Sequence, residues 1–243
     1  MAEVSLLKEV IAAHGGSERW AGVRELKLQL RIGGKMLALK FQSPRSRAFA
    51  CTVNTRRIYA VLAPFPRSGL RGVFETDSVR IETRAGEMMA HRRTILDADG
   101  RIPRRIFWDD LDLLYFFGYA FWNYAVTPYL FLWPEFECRE GDRWHEQDGS
   151  CWRTLHVRYP PSFPTHSREQ VFYFDEQKLL RRLDYTAYTF GEFARGAHFC
   201  HAHRAFDGLV FPTHRVVYPR RASGQPVRVL SVMEGWLDNV VVS

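Results

Sequence analysis

The sequence predicts an α+β fold in which a strongly curved antiparallel β-sheet wraps around an aromatic central helix and leaves an apolar cavity. Three observations support this fold class. Residues 113–133, LLYFFGYAFWNYAVTPYLFLW, are rich in aromatic side chains and contain no charge. Short runs of alternating apolar and polar residues, typical of strands, lie on both sides of this segment. No low-complexity linker or repeat interrupts the chain, so we expect one domain over residues 1–243.

The composition supports a substantial core and limits the function classes. Of 243 residues, 46% are hydrophobic and 14% are aromatic, which is ample for a core. The formal net charge of +7 comes mainly from arginines spread along the chain without a basic block, so we predict no nucleic-acid binding. The four cysteines form no CxxC pair, and we expect buried free thiols.

The N-terminal part predicts a helix followed by a hairpin. Apolar residues recur at helical spacing over residues 4–13, and Gly15 follows as a typical helix terminator. Apolar and polar residues then alternate from residue 24 to Ile32, which predicts a strand. Gly33 and Gly34 are expected to turn the chain into a second strand at residues 36–39.

The uncharged segment predicts a helix that is buried on nearly every face. Asp109, Asp110 and Asp112 are typical of a helix N-terminus, and Pro128 is expected to end the helix. The length is sufficient to cross a bilayer, but the acidic first turn, the proline and the bulky aromatics favour a soluble helix. We therefore predict no integral membrane segment. Because strands flank this helix on both sides in the chain, a sheet folded around it is the simplest arrangement.

The rest of the chain predicts further antiparallel strands. Strand-like runs cover residues 136–144, 151–159, 169–174, 179–188, 197–206, 209–218 and 227–241. Tight turns are expected at residues 175–177, at Asp207-Gly208 and at residues 221–224. Similar short runs between residues 48 and 92 predict a meander in the N-terminal half.

Three sequence blocks carry a resemblance to a known fold family. They are AHGGSERW (residues 13–20), HSREQVFYFDEQKLLRRLDY (residues 166–185) and HRAFDGLVFPTHRVVYPR (residues 203–220). These blocks resemble those of uncharacterised soluble bacterial proteins of the LolA-like half-barrel superfamily. The resemblance implies an open antiparallel half-barrel of about eleven strands, with helices in its concave face and an apolar cavity.

The resemblance also bears on location and chemistry. Exported lipoprotein carriers of this fold begin with a signal peptide, whereas this chain has Glu3, Lys8 and Glu9 where a signal peptide would be apolar. We therefore expect a cytoplasmic location. A cofactor-free enzyme of violacein biosynthesis has a similar fold and acts on a small aromatic intermediate, so the fold accommodates catalysis as well as binding. We predict no cofactor.

One group of polar residues forms a candidate catalytic site. His166 and Arg168 share one face of a predicted strand. Across the hairpin follow Arg182 and Asp184, with Tyr185 on the opposite face. If these residues face the cavity, the arginines can hold an oxygen atom, the histidine or aspartate can move a proton, and the tyrosine can donate a hydrogen bond. The alternative is an Arg-Asp ladder on the convex face of the sheet.

A second candidate is the histidine-rich strand at residues 198–203. His198 and Cys200 share one face, and His201 and His203 share the other. Two histidines at alternate positions can bind a metal, but a zinc site needs three or four ligands, and no acidic partner lies nearby in the sequence. We predict ordinary strand histidines and no metal, and we retain His198 and His203 as candidate catalytic residues.

The aromatic helix supplies the candidate ligand-binding residues. Plain core packing is the alternative, because aromatic helices often simply fill a barrel. Buried tyrosine hydroxyls or an asparagine without protein partners would favour a pocket. The candidates are Tyr115, Phe116, Tyr119, Trp122, Asn123 and Tyr124.

These observations predict a binding protein for a small apolar or aromatic metabolite. The alternative is a cofactor-independent enzyme of the cyclase or isomerase type that acts in the same cavity. A third interpretation is a peripheral membrane protein that uses its basic surface. The sequence contains no GxSxG, HExxH or P-loop motif and no GxGxxG after a strand, so it does not support the corresponding hydrolase, zinc protease or nucleotide-binding classes.

Overall fold

The fold is organised around one large, open antiparallel sheet. A computed structural model describes residues 5–93 and 106–243, and residues 1–4 and 94–105 lie outside it, together with the start of the first predicted helix. Within the described residues the sheet has fourteen strands, more than the eleven or so that the resemblance implied. They are β1 (Glu25–Gly33), β2 (Arg47–Asn54), β3 (Tyr59–Ala63), β4 (Leu70–Glu75), β5 (Ser78–Thr83), β6 (Met88–Arg93), β7 (Glu137–Glu140), β8 (Trp144–His145), β9 (Cys151–Arg158), β10 (Glu169–Phe174), β11 (Leu180–Thr186), β12 (Arg195–Phe206), β13 (Leu209–Pro219) and β14 (Met233–Val242).

The strand order follows from two meanders joined by one long-range pairing. The order is β6-β5-β4-β3-β2-β1-β14-β13-β12-β11-β10-β9-β7, and β8 pairs with β9. Strands β1 and β14 pair antiparallel, with Leu26 opposite Val242 and Ile32 opposite Gly235. This pairing brings the first and last strands together in the middle of the sheet. The predicted curved antiparallel sheet around a central helix is therefore confirmed.

The helices are few and include one long one. Helix α1 covers Ser5–Ala13, α2 covers Ser17–Ala21 and α3 covers Asp110–Val126, with short 3-10 helices at Lys35–Lys40 and Tyr129–Leu132. Helix α3 is buried along almost its whole length, as the sequence predicts. None of the helices among the described residues is long and apolar enough to cross a membrane.

The ends of α3 are specified by local sequence. The Asp109 carboxylate accepts a hydrogen bond from the backbone N–H of Asp112, and the Asp112 carboxylate accepts one from the N–H of Asp109. Arg92 contacts both carboxylates. At the other end, Thr127 is extended, as the residue before Pro128 tends to be. The predicted acidic N-terminus and proline stop of this helix are confirmed.

The connection after β1 differs from the predicted hairpin. Residues 35–40 form a 3-10 helix, and the strand that pairs with β1 begins only at Arg47. The reason is tertiary, because Gly34 lies against the backbone of Val232, where any side chain would overlap it, and the backbone N–H of Met36 donates to the Val232 carbonyl. The segment therefore packs on the loop before β14, with Leu37 buried beneath it. By contrast, the Asp207-Gly208 turn forms as predicted, with positive φ at both residues.

Helix α3 packs most closely against one half of the sheet. It packs on β2 to β6, and two glycines allow a close approach there. A Cβ on Gly118 would overlap the ring of Phe74, and a Cβ on Gly72 would overlap the side chain of Leu114. The inner faces of β1, β13 and β14 therefore stand opposite the other side of α3, with a gap between them.

Candidate functional site

The gap between α3 and the sheet is an open, mostly apolar cavity. The centre of a water-sized sphere can occupy about 80 Å³ of this cavity, and its mouth opens to solvent. Most of the lining is aliphatic or aromatic, which is typical of a site for a small apolar molecule. The apolar side chains come from β1 (Leu28, Leu30, Ile32), α3 (Phe116, Phe117, Ala120, Phe121), β13 (Phe211, Val217) and β14 (Met233, Leu237).

The strand pattern explains why these side chains meet. In β13 the residues at alternate positions from Phe211 to Val217 point inward, because Val217 and its β14 partner Met233 both belong to the main hydrophobic core. Arg215 lies in the same phase, opposite Gly235 on β14.

A network of tyrosines and histidines closes one end of the cavity. The Tyr119 hydroxyl lies 3.0 Å from Nδ1 of His166, and the Tyr124 hydroxyl lies 2.6 Å from Nε2 of the same ring. The ring of Tyr185 stacks on His166 at a centroid distance of 4.1 Å. Burial lowers the pKa of His166 to about 3 and raises those of the three tyrosines. These groups are therefore neutral at physiological pH.

The network continues to an arginine through a second histidine. Nδ1 of His198 lies 3.5 Å from the Tyr185 hydroxyl, and Nη1 of Arg215 lies 3.5 Å from Nε2 of His198 and 3.2 Å from Sγ of Cys200. The guanidinium also lies over the ring of Tyr124, 4.7 Å from its centroid. Burial and the charge of Arg215 hold the pKa of His198 well below its usual value. His198 is therefore neutral as well.

Donor and acceptor counting assigns a direction to the hydrogen bonds of His198. Arg215 can only donate, so Nε2 of His198 accepts and Nδ1–H donates to the Tyr185 hydroxyl. The neutral ring of His166 donates through one nitrogen and accepts through the other, so one of the Tyr119 and Tyr124 hydroxyls accepts from it and the other donates to it. A ligand group that accepts hydrogen bonds is thus favoured at the Arg215 end.

The structure divides the predicted catalytic group between two faces of the sheet. His166, Tyr185 and His198 line the cavity. Arg182 and Asp184 lie on the outer face, where Nε and Nη2 of Arg182 donate to the Asp184 carboxylate at 2.7 and 2.8 Å. This is the arrangement that the alternative interpretation described.

The outer-face pair is buried by its own surroundings. Arg182 lies between the rings of Trp144, Tyr173 and Phe199, and the carbonyl of Gly224 accepts a hydrogen bond from it. Burial raises the pKa of Asp184, although the guanidinium of Arg182 opposes the change. These contacts are structural, since strand β11 separates them from the cavity.

Two other predicted catalytic residues lie away from the cavity. Nε of Arg168 donates to the carbonyl of Tyr159 at 3.4 Å, and the side chain is half-buried. The ring nitrogens of His203 are buried, and burial lowers the pKa of this histidine to about 4. Neither residue lines the cavity.

The predicted ligand-binding aromatics also divide. Phe116 and Tyr124 line the cavity. Tyr119 does not line it but is hydrogen-bonded to His166, which does. Tyr115 packs against Phe74. The indole N–H of Trp122 donates to the carbonyls of Asn54 and Arg57, and that ring therefore belongs to the core beneath β2 and β3.

The side-chain amide of Asn123 is only partly satisfied by hydrogen bonds. Its Nδ2 donates to the carbonyls of Tyr119 and Pro164, but its Oδ1 is buried without a partner. The side chain fastens the loop before His166 to α3 and is not among the residues that line the cavity.

Sequence reasoning missed Arg215 and the apolar walls contributed by β1, β13 and β14. The available signal was the position of Arg215 in phase with Phe211 and Val217 on a strand with an apolar inner face. Among the described residues, no group of three or more His, Cys, Asp or Glu side chains is placed to hold a metal ion.

The architecture is similar to that of solved structures. A DUF1329 family protein from Desulfovibrio piger aligns with a TM-score of 0.56 at 12% sequence identity, over 98% of this chain and 92% of that chain. A LolA superfamily protein from Nitrosomonas europaea aligns with a TM-score of 0.51 at 7% identity, also over 98% and 92%. No protein-family model and no curated protein sequence matches the chain. The chain therefore has the LolA-like half-barrel fold that the sequence blocks implied.

Proposed function

We propose that the chain binds a small apolar molecule, aliphatic or aromatic, in the cavity between α3 and strands β1, β13 and β14. The observation that supports this proposal is the cavity itself, which is open to solvent at its mouth and walled mainly by aliphatic and aromatic side chains. Such a surface gains free energy when an apolar molecule replaces water, at about 25 cal/mol per Å² of apolar area. No cofactor is required for this role.

The test fills the cavity from the helix side. Ala120 lies on the face of α3 that lines the cavity, so Ala120→Leu places additional carbon atoms in the ligand space. A neutral fluorescent probe, N-phenyl-1-naphthylamine, is titrated into the wild type and the variant. We expect saturable binding to the wild type and at least about 10-fold weaker binding to Ala120→Leu, a change of about 1.4 kcal/mol.

The matched control makes the same substitution on the exposed surface. Ala205 is exposed on β12, so Ala205→Leu should leave probe binding unchanged. Thermal unfolding curves establish that both variants fold. Absence of saturable binding to the wild type, or equal binding by wild type and Ala120→Leu, would contradict the proposal.

A second candidate function is catalysis without a cofactor in the same cavity. The observation that favours it is the pair of buried histidines at the cavity end, each hydrogen-bonded to a tyrosine hydroxyl. A neutral histidine can accept a proton in catalysis, although a histidine with a pKa near 3 is a weak base. If an apolar molecule that binds in the cavity is also turned over, His166→Gln should lower kcat with little change in KM. Unchanged turnover in that variant would remove His166 from any catalytic role.

A further inference from the structure

The cavity contains one arginine whose charge is not matched by a carboxylate. Arg215 projects inward from β13, and no carboxylate among the described residues forms an ion pair with it. Its contacts are the neutral His198 ring, the Cys200 thiol and the face of Tyr124. Arg153, by contrast, pairs with two glutamates through its guanidinium.

The other charged residues around the cavity do not neutralise Arg215. Arg31 makes a two-point contact with Asp238 at 2.8 and 2.7 Å. Glu234 accepts a hydrogen bond from Nε2 of His214 at 2.8 Å. By strand alternation, the side chains of His214 and Glu234 leave the sheet on the opposite face from that of Arg215. Arg31 and Glu234 also line the cavity, but each already has a partner. The positive charge of Arg215 is therefore the charge in this lining that no carboxylate among the described residues pairs.

An unmatched guanidinium beside an apolar wall favours a particular ligand chemistry. Removing a charge from water is costly unless a partner replaces the lost interactions, and a ring face and a thiol replace them only in part. A carboxylate matches the fork of donor groups on arginine, often in two parallel hydrogen bonds. The donors and acceptors that contact Arg215 are neutral, so no carboxylate in the described part of the chain competes for the site.

We propose that the ligand of this cavity is an amphipathic carboxylate, whose oxyanion binds Arg215 while its apolar body lies between β1 and α3. This proposal rests on the proposed function, because it requires an apolar ligand in the same cavity. It adds the chemical class of the head group and the residue that selects it. Apolar molecules without an oxyanion are then weak ligands compared with acids of the same size.

The test compares acids with neutral molecules of the same shape. Two probe pairs are used at pH 7.5 and below their aggregation concentrations: dodecanoate with 1-dodecanol, and 4-phenylbutyrate with 4-phenyl-1-butanol. Dissociation constants are measured by isothermal titration calorimetry for the wild type, Arg215→Gln and Arg215→Lys. The control, Arg204→Gln, removes one charge from an exposed position on the neighbouring strand.

We expect the wild type to bind the acid of at least one pair about 10-fold or more tightly than its alcohol, a difference of about 1.4 kcal/mol. Arg215→Gln should lose that preference while retaining the affinity for the alcohol. Arg215→Lys should keep part of the preference, because it keeps the charge but not the fork of donors. Arg204→Gln should behave as the wild type.

Several outcomes would overturn the inference. Equal binding of acid and alcohol by the wild type, or a preference that survives in a folded Arg215→Gln variant, shows that Arg215 does not select an anion. Should Arg215→Gln fail to fold, the wild-type pairs and Arg215→Lys decide the question. If N-phenyl-1-naphthylamine binds and no acid is preferred, only this inference fails. If that neutral probe does not bind either, the proposed function fails too.

Discussion

The buried pair of Arg182 and Asp184 offers a direct measurement of how burial changes the contribution of an ion pair to the free energy of unfolding. The side chains are 0% and 4% exposed. Replacing Asp184 with alanine leaves the guanidinium buried without its two-point carboxylate contact, a change that typically costs about 3–5 kcal/mol. Glu146 remains 3.5 Å from Nη1 of Arg182, so we expect a loss near the lower end, about 3 kcal/mol. The free energy of unfolding is measured by urea denaturation followed through tryptophan fluorescence.

The chain provides a control with the same geometry on the surface. Arg31 contacts Asp238 through Nε and Nη2 at 2.8 and 2.7 Å, with side chains that are 49% and 46% exposed. Asp238→Ala should lower the free energy of unfolding much less than Asp184→Ala, because water and salt screen an exposed pair. Equal losses for the two variants would refute the reasoning that burial decides the cost. Ligand binding should be unchanged in Asp184→Ala, since this pair lies outside the cavity.

Three further predictions concern α3 and the buried histidine. Asp109→Ala removes the side-chain cap of α3 and should lower the free energy of unfolding by about 1 kcal/mol in urea denaturation, with an unchanged value arguing against the capping role. Gly118→Ala places a Cβ into the ring of Phe74 and should lower the melting temperature, with a loss of about 1–3 kcal/mol, whereas Gly22→Ala meets no atom closer than 3.7 Å and should not. The pKa of His166 is lowered to about 3 in the folded state, below the usual unfolded value of about 6.5. The unfolded state therefore binds the proton first, so this histidine contributes stability that is present above about pH 6.5 and is lost as the pH falls towards 3. His166→Gln should flatten the dependence of the free energy of unfolding on pH in that window, and an unchanged slope, or a folded-state NMR titration near pH 6.5, would contradict the assignment.

Much of the fold was predictable because its signals are local. The acidic turn at Asp109 and the proline at position 128 bound α3 in the sequence, and both act within one helical turn. The Asp207-Gly208 hairpin is also local, since both residues tolerate positive φ. The 3-10 helix after Gly34 was not predictable in this way. It depends on contacts with Val232, which lies almost two hundred residues further along the chain.

The candidate site was predictable only in part. His166 was placed on a strand face with Arg168, but β10 begins at Glu169, so His166 lies in the preceding loop, where the alternation of strand faces does not apply. The loop instead positions His166 between Tyr119 and Tyr124 of α3.

The sequence by itself determined the class of the fold, the central aromatic helix and the alternation of inner and outer residues along each strand. These properties follow from composition, helix caps and side-chain periodicity, which act over a few residues. Only the tertiary structure decided that α3 packs on β2 to β6 and leaves the inner faces of β1, β13 and β14 open, which places Arg215 in a cavity. The reason is that strand pairing and helix docking join residues far apart in the chain, and no local pattern specifies which inner face remains uncovered.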